Sequence, residues 1–292
     1  MKGIILAGGT GTRLHPMTNA VSKQAVPIYD KPMIYYPLSM VMLAGLRQVL
    51  IISTPRDLPV FQEMLGDGSR FGISIEYAVQ PKPAGLAQAF IIGERFLDGG
   101  PACLILGDNV FYGHGLPKLL SSSAKRLSGA QIYASYVNDP ERYGVVKFDA
   151  QGLPEHIAEK PQTPLSNWAV TGLYFYDSRV VEMAKTLRPS ARGELEISDI
   201  NQLYLEEGDL YVEKLGRGFA WFDTGTPDSL HDAAAFVQAI SRRQSHKIAC
   251  LEEIAMEASW IEPAEILKQF ENVGKGEYAQ YVRRRAQEML NG

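Results

Sequence analysis

The sequence has little of several features that would each point to a particular class of protein. Its 292 residues include only two cysteines, Cys103 and Cys250, which argues against a disulfide framework and is typical of a reducing compartment. No apolar run is long enough to span a bilayer, and the first residues show a strand pattern rather than a signal peptide. We therefore predict a cytoplasmic protein that does not bind membranes.

Basic blocks, metal motifs and common phosphate loops are missing as well. The formal net charge is -4 and no run of lysine and arginine indicates a nucleic-acid groove, so we expect no nucleic-acid partner. The five histidines show no metal-ligand spacing, and no Ser-His-Asp or Cys-His motif is found. The dinucleotide fingerprint fails because Gly9 and Gly11 are followed by Leu14, and no Gly-Lys-Ser/Thr of a P-loop occurs.

What the sequence does contain is an alternation of short apolar runs with helical patterns. The first half reads β-α-β-α-β-α-β, and strands such as Ala102–Leu106 are apolar on both faces, as expected where helices cover both sides of a parallel sheet. Longer alternating strands such as Ala169–Tyr176 indicate antiparallel insertions. We predict a Rossmann-like three-layer α/β/α fold with a mostly parallel mixed sheet over residues 1–227, followed by a C-terminal helical segment over 228–292.

Several helix signals refine this outline. Thr226 stands before a proline and is predicted to cap a helix, and Ser178 and Ser198 are similar cap candidates. The acidic-rich helices predicted over 194–207 and 251–257 are interpreted as solvent-exposed faces.

The most informative segment runs from residue 5 to residue 16, where an apolar strand enters a glycine-rich turn. Gly9 and Gly11 allow positive φ and close approach of a ligand, and successive N–H groups in such a turn form an anion-binding nest. Arg13 adds a fork of donors for phosphate oxygens, and Lys23 follows ten residues later as a point charge. For this motif alone, a tight turn with a surface arginine is the alternative.

Two aspartates form a second candidate site. Asp108 follows the apolar run Leu104–Leu106, and Asp223 follows Ala220–Phe222. If these strands are parallel neighbours, both carboxylates reach the sheet edge that carries the glycine-rich turn. Two carboxylates combined with substrate phosphates suit Mg²⁺, whereas turn formation is the alternative role for each aspartate.

Other polar residues suit a nucleotide and a sugar phosphate. Gln80 follows a strand, and its amide offers the donor and acceptor that match the imide edge of thymine or uracil. Gly85, at the start of a helix predicted over residues 85–96, permits close approach of a base. Glu159 and Lys160 pair a carboxylate with an ammonium, and Gly144 begins a strand. A turn glutamine, a surface ion pair and a β-bulge are the alternatives.

Together these segments resemble the sugar-nucleotide pyrophosphorylase family. The resemblance extends over nearly the whole chain. It is carried by Leu6–Leu14, Ser22–Gln24, Tyr29–Ser39, Gln80-Pro81, Gly85–Ala89, Leu106–Asn109, Asp139–Val146, Glu159–Pro161, Val170–Tyr176, Arg192–Ile197 and Trp221–Thr226.

The resemblance implies that glucose 1-phosphate and dTTP are converted to dTDP-glucose and pyrophosphate, for dTDP-rhamnose or related deoxysugar biosynthesis. It implies that Arg13 and Lys23 are catalytic and that Asp108 and Asp223 hold Mg²⁺. The implied nucleotide-binding residues are Leu6, Gly8, Gly9, Gly11, Thr12, Arg13, Gln24, Gln80, Gly85 and Asp108. The implied sugar-phosphate residues are Asn109, Gly144, Glu159, Lys160 and Val170.

The resemblance also implies a homotetramer with feedback regulation at a second nucleotide-sugar site. Two alternatives stay open at this point. One is the same chemistry with UTP or CTP, since a thymine methyl in an apolar pocket is worth only ~1–3 kcal/mol. The other is a catalytically silent regulator that binds nucleotide sugars.

Overall fold

The computed structural model describes residues 1–9, 11–126 and 128–291, so Thr10 of the glycine-rich turn lies outside the described residues. The strands are β1 Lys2–Ala7, β2 Pro27–Ile28, β3 Lys31–Pro32, β4 Gln48–Ser53, β5 Ser74–Val79, β6 Ala102–Leu106, β7 Asn109–Gly113, β8 Ala130–Tyr136, β9 Gly144–Phe148, β10 Pro154–Glu159, β11 Trp168–Tyr176, β12 Leu210–Leu215 and β13 Phe219–Asp223. The helices are α1 Tyr35–Leu43, α2 Leu58–Leu65, α3 Gln88–Ile92, α4 Glu94–Leu97, α5 Leu116–Ala124, α6 Val180–Thr186, α7 Ile197–Glu206, α8 Pro227–Gln244, α9 Leu251–Glu257, α10 Pro263–Gln269 and α11 Glu277–Asn291.

A nine-stranded mixed sheet forms the centre of the molecule. Its main path runs β10-β9-β11-β6-β1-β4-β5, and β8 and β12 join it beside β11. Pairing is parallel along β6-β1-β4-β5 and antiparallel where β11 meets β6, β8 and β9. The carboxyl ends of β1 and β6 are therefore neighbours at one edge, which places the segments that follow them side by side.

Helices cover both faces of this sheet, because successive side chains of a buried strand point to opposite faces. In β1, Ile5 packs in one apolar cluster with helices that include α1, α2 and α5, whereas Ile4 packs in the opposite cluster with α3, α6 and α7. A third cluster joins α8 to β7 through Val110 and Val237. The predicted three-layer fold is confirmed.

Local differences from the prediction have identifiable causes. The helix predicted over residues 85–96 begins at Gln88 and is interrupted at Gly93, a residue with low helix propensity. β7 and β10 were not predicted, since pairing with β13 and β9 rather than composition defines them.

One of the three predicted helix caps is confirmed, and two are wrong. Thr226 caps α8 as predicted, with its side chain accepting a hydrogen bond from the Ser229 backbone N–H. Ser178 and Ser198 do not cap a helix, because the N-cap residue of α6 is Arg179 and that of α7 is Glu196.

The acidic helix α9 does not present a solvent-exposed face, and that prediction was wrong. Glu252 and Glu253 are buried because partners from α11 satisfy them. Tyr278 donates to Glu252 Oε2 at 2.5 Å, Tyr281 to Glu253 Oε2 at 2.6 Å, and Arg285 to Glu253 Oε1 at 2.6 Å.

The C-terminal helices share a core with the sheet layer. Leu251 and Val282 belong to the same apolar cluster as Leu38 of α1. The domain boundary at residue 227 stays a prediction. Of the helices in the described ranges, none has both the length and the apolar character to cross a membrane.

Candidate active site

The glycine-rich turn leaves β1 at Ala7 and directs Arg13 toward a cavity. Gly9 and Gly11 have φ of +103° and +61°, the left-handed region that favours glycine. Leu14 is fully buried and the Thr18 hydroxyl donates to the Gly11 carbonyl at 2.8 Å. These contacts fix the base of the turn, while Thr12 and Arg13 are exposed.

Two buried glutamines support the turn from behind. Gln24 Nε2 donates to the Gly8 carbonyl at 3.3 Å. A Cβ at Gly8 would lie 2.7 Å from Gln80 Oε1, and Gln80 Nε2 donates to Gln88 Oε1 at 2.8 Å. Both side chains therefore hold protein groups in place, and base recognition by Gln80 stays a prediction.

The fold of the chain itself requires a glycine at position 85. Its φ is +101°, and a Cβ there would lie 2.3 Å from the Leu195 carbonyl oxygen. The Leu195 N–H donates to Ala84 and its carbonyl accepts from Ala87, at 2.8 and 3.1 Å. The segment around Leu195 therefore requires a glycine at this position, and close approach of a base to Gly85 stays a prediction.

The two aspartates reach one cavity by a route that differs from the expected one. Asp108 follows β6, and the Gly107 N–H donates to the Leu6 carbonyl at 2.9 Å, which ties this end to β1. The strand that carries Asp223 is not a parallel neighbour of β6. It pairs antiparallel with β7 in a separate two-stranded sheet, where Asp223 lies opposite Asn109.

One cation and one neutral amide contact the Asp108 carboxylate. Lys23 Nζ contacts Asp108 Oδ2 at 2.5 Å, and Asn109 Nδ2 donates to Oδ1 at 3.0 Å. Burial opposes ionisation of this carboxyl, but Lys23 and these hydrogen bonds outweigh burial and lower the pKa of Asp108.

The pKa of Asp223 is shifted in the opposite direction. Burial and the nearby charge of Asp108 raise its pKa, while Lys23, Arg142 and Arg13 only partly offset the increase. Arg142 Nη2 lies 3.8 Å from Asp223 Oδ2, and Arg142 Nη1 donates to Asp139 at 2.6 Å. Two half-buried carboxylates that repel each other at the mouth of a cavity favour a bound cation.

A cavity of about 240 Å³ extends from these carboxylates along the sheet. The predicted site residues that line it are Arg13, Asp108, Asn109, Gly144, Glu159, Lys160, Val170 and Asp223. The remaining predicted residues do not line it, and these are Leu6, Gly8, Gly9, Gly11, Thr12, Lys23, Gln24, Gln80 and Gly85. Arg13 and Asp108 therefore stand where the predicted nucleotide and sugar-phosphate regions meet.

The predicted sugar-phosphate wall is one connected cluster. Gly144 pairs with Glu159 across β9 and β10, and a Cβ at Gly144 would lie 3.2 Å from Glu159 Oε2. Glu159 is 3.7 Å from Lys160 Nζ and 3.2 Å from an Arg192 nitrogen. Arg192 thus joins the predicted pair, which sequence reasoning did not anticipate.

Asn109 organises the centre of the cavity. Its Oδ1 accepts from the Gly172 N–H at 3.0 Å and from Trp221 Nε1 at 2.6 Å, while its Nδ2 donates to Asp108. A Cβ at Gly172 would lie 2.7 Å from Asn109 Oδ1, so glycine is needed for this contact.

Sequence reasoning missed several lining residues whose chemistry is visible only in three dimensions. The missed residues include Arg142, Tyr143, Gly172, Tyr174, Arg192, Ser198, Asn201 and Trp221. One signal was available, since Ser198 and Asn201 are polar residues on the otherwise apolar face of α7.

Comparison with known proteins identifies the family to which the chain belongs. A family model described as nucleotidyl transferase matches residues 2–240, and the chain belongs to this family. The chain is 58% identical over 282 residues to the glucose-1-phosphate thymidylyltransferase of Neisseria gonorrhoeae, covering 97% of this chain and 98% of that protein. It is 51% identical over 285 residues to the enzyme of the same name from Mycobacterium tuberculosis, with 97% and 98% covered.

Solved structures show the same fold. A Bacillus anthracis protein assigned as a glucose-1-phosphate thymidylyltransferase, in complex with sucrose, superimposes with a TM-score of 0.74 at 41% identity, over 81% of this chain and 94% of that chain. A UDP-glucose pyrophosphorylase complexed with UDP-glucose superimposes with a TM-score of 0.71 at 22% identity, over 82% and 98%. The family predicted from the sequence is confirmed.

Proposed function

We propose that this protein is a glucose-1-phosphate thymidylyltransferase, which converts dTTP and α-D-glucose 1-phosphate to dTDP-glucose and pyrophosphate. The observation that carries the proposal is the meeting of Arg13, Lys23, Asp108 and Asp223 at the mouth of a cavity lined by sugar-phosphate candidates. Relatives that align over nearly their full length bear this name, which supports the choice of substrates.

The reaction needs charge control more than proton transfer. A phosphate oxygen of the sugar phosphate attacks the α-phosphorus of dTTP, and the bond from that phosphorus to the pyrophosphate oxygen breaks. The nucleophile is already an anion, so no strong general base is required. In-line positioning and neutralisation of the phosphate oxygens then account for catalysis.

Arg13 and Lys23, which lie at the cavity mouth, have different roles in this reaction. Arg13 is exposed on the glycine-rich turn and stabilises the departing pyrophosphate through its fork of donors. Lys23 is held against Asp108 and places its ammonium beside the reacting α-phosphate.

The donor set also fits Mg²⁺. No group of three or more metal-binding side chains occurs in the part of the chain that the structure describes, but Mg²⁺ commonly uses one or two carboxylates together with substrate phosphates. Asp108 and Asp223 would supply those carboxylates, and burial together with the charge of Asp108 raises the pKa of Asp223. When bound there, Mg²⁺ would offset the charge repulsion between the reacting anions.

One experiment tests the activity directly. Pyrophosphate release is measured with Mg²⁺ for dTTP, UTP and CTP, each with glucose 1-phosphate, galactose 1-phosphate and mannose 1-phosphate. We expect the highest kcat/KM for dTTP with glucose 1-phosphate. Faster release with UTP or CTP would reassign the nucleotide, and no release with any pair would favour a silent nucleotide-sugar-binding regulator.

We also propose feedback regulation at a second cavity of about 230 Å³. It lies between β7 and the segment that leads into α9, with Tyr112, Lys247 and Glu253 in its walls. Lys247 also pairs with Asp30 at 2.6 Å, in the turn between β2 and β3 that follows the Lys23 segment, and we propose this contact as the link between the cavity and the active site. Inhibition by a dTDP-sugar that excess dTTP and glucose 1-phosphate do not relieve would support the proposal, and purely competitive inhibition would refute it.

We further propose a cytoplasmic homotetramer that supplies dTDP-rhamnose or related deoxysugar biosynthesis. The family resemblance supports the assembly and the pathway, and the two buried free thiols suit a reducing compartment. Light scattering of the purified protein, cell fractionation, and the dTDP-sugar pool of a deletion strain test these three statements separately.

A further inference from the structure

The inner wall of the active-site cavity contains two buried polar groups without partners. Ser198 and Asn201 of α7 line the cavity and are only 6% and 1% exposed. Within the described part of the chain, Ser198 Oγ and Asn201 Nδ2 have no hydrogen-bond partner. Burying an unsatisfied polar group costs about 1–3 kcal/mol, so a retained pair calls for an explanation.

The amide of Asn201 is held in one orientation. Tyr176 donates its hydroxyl proton to Asn201 Oδ1 at 2.5 Å. Burial raises the pKa of Tyr176 far above its ordinary value, so the hydroxyl keeps that proton and stays a donor. Asn201 Nδ2 is consequently the free donor of a side chain that lines the cavity.

A stack of aromatic rings fixes Tyr176 in turn. Its ring lies 6.1 Å from that of Tyr174 and 5.5 Å from that of Tyr204, in stacked arrangements. The Tyr204 hydroxyl donates to Asp177 Oδ1 at 2.7 Å. The free amide group is thus part of a rigid network rather than a mobile side chain.

The strand register places this network far from the phosphate end. Val170, Gly172, Tyr174 and Tyr176 follow one another on one face of β11, and β11 runs antiparallel to β6. Tyr176 pairs with Ala102 at the start of β6, whereas Asp108 lies just beyond its end. Moving along this row from Val170 to Tyr176 therefore leads away from the reacting groups.

We propose that Ser198 and Asn201 bind one sugar hydroxyl, on the side of the hexose ring remote from its phosphate, and thereby select sugar phosphates that carry it. The proposal rests on the function proposed above. A hydroxyl suits both groups, because it can accept from Asn201 Nδ2 and exchange a hydrogen bond with Ser198 Oγ. An analogue without that hydroxyl would leave both groups unsatisfied.

Deoxy sugars combined with two variants test this contact. The 2-, 3-, 4- and 6-deoxy analogues of glucose 1-phosphate are compared with the parent sugar at saturating dTTP, using kcat/KM for pyrophosphate release. We expect one analogue to lose roughly 10- to 100-fold with the wild-type enzyme. Ser198→Ala and Asn201→Ala should lose activity on the parent sugar but discriminate less against that same analogue.

Thr171→Val is the matched control. Among the residues that the structure describes, Thr171 Oγ1 is also buried and unpartnered, but Thr171 does not line the cavity. This variant should leave the ranking of all five sugars unchanged. Asn201→Ala also removes the partner of the Tyr176 hydroxyl, so if it fails to fold, Ser198→Ala carries the test.

The outcomes separate the two proposals. If the variants lower kcat/KM by one common factor for every sugar, or if no deoxy analogue is discriminated against, the hydroxyl contact is refuted while the activity stands. If wild-type enzyme releases no pyrophosphate from dTTP and glucose 1-phosphate, the proposed function itself fails and the contact fails with it.

Discussion

The two ends of the active-site cavity are built from opposite chemistry. At the mouth, Arg13, Lys23, Asp108 and Asp223 are charged and come from a loop or from strand ends. At the inner wall, Ser198 and Asn201 are neutral, buried and fixed on a helix. In the proposed reaction, charges at the mouth neutralise a changing phosphate charge, whereas the inner wall is proposed to offer hydrogen bonds to a group that does not react. The mouth should therefore control rate, and the inner wall should control which sugar enters.

Replacing Asp223 with asparagine should give the largest effect. Asp223→Asn keeps the side-chain shape but removes one charge, so turnover should fall on the order of 10²–10³-fold with little change in unfolding free energy. Steady-state kinetics over a Mg²⁺ titration, with Mn²⁺ binding in the presence of dTTP measured by EPR, checks this. Asp232→Asn, at an exposed position of α8, is the control. Normal activity of Asp223→Asn at low Mg²⁺ would refute its role at the metal.

Arg13→Ala and Lys23→Ala should separate rate from stability within the mouth. Each should lower kcat on the order of 10²-fold, because each removes a charge from the phosphate path. Only Lys23→Ala should also destabilise the fold, since the half-buried Asp108 carboxylate then lacks its cation. Urea unfolding beside the kinetics checks this, and equal stability of the two variants would contradict it.

The smallest effect is expected for Asp177, which lies behind the inner wall, and it is a pH-dependent change in the free energy of unfolding. Burial opposes ionisation of Asp177, but hydrogen bonds that include those from Arg179 and Tyr204 lower its pKa below the unfolded value. Its stabilising contribution is therefore present above the unfolded pKa of about 4 and is lost as pH falls through the folded pKa. Asp177→Asn should lower the free energy of unfolding by about 1–2 kcal/mol at pH 7. This difference between variant and wild type should be smaller at pH 3.

Urea unfolding of wild-type and Asp177→Asn protein at pH 7, 5 and 3 measures this gap. Asp67→Asn serves as an exposed control, since the Asp67 carboxylate accepts hydrogen bonds from neighbouring Ser69. A gap that is constant from pH 7 to pH 3 would show that Asp177 acts through packing rather than charge. Turnover should change little in either variant.

The charged mouth was accessible from the sequence because its residues follow recognisable local patterns. Gly9, Gly11 and Arg13 form a motif within one turn, and Asp108 directly follows an apolar strand. Parallel strands bring such segments to one sheet edge whatever the details of pairing. Asp223 was predicted at the same place on a wrong premise, since its strand pairs with β7 outside the main sheet.

The inner wall was not accessible in the same way. Ser198 looked like a helix cap, and the acidic helix around it looked solvent-exposed. Only the packing of α7 against β11 turns Ser198 and Asn201 toward the cavity, and only Tyr176 orients the Asn201 amide. Likewise, Gly85 faces Leu195, a contact between residues far apart in the sequence.

By itself the sequence determined the α/β alternation, the glycine-rich turn with its arginine, and the set of charges proposed to bind phosphate. These features depend on residue type and on spacings of a few residues, which a linear pattern records. Tertiary structure alone decided the antiparallel pairing that presents Asp223, the cluster that joins Arg192 to Glu159, and the neutral inner wall. Those features depend on strand register and on which neutral groups are left without partners after packing, and both arise from contacts between distant segments.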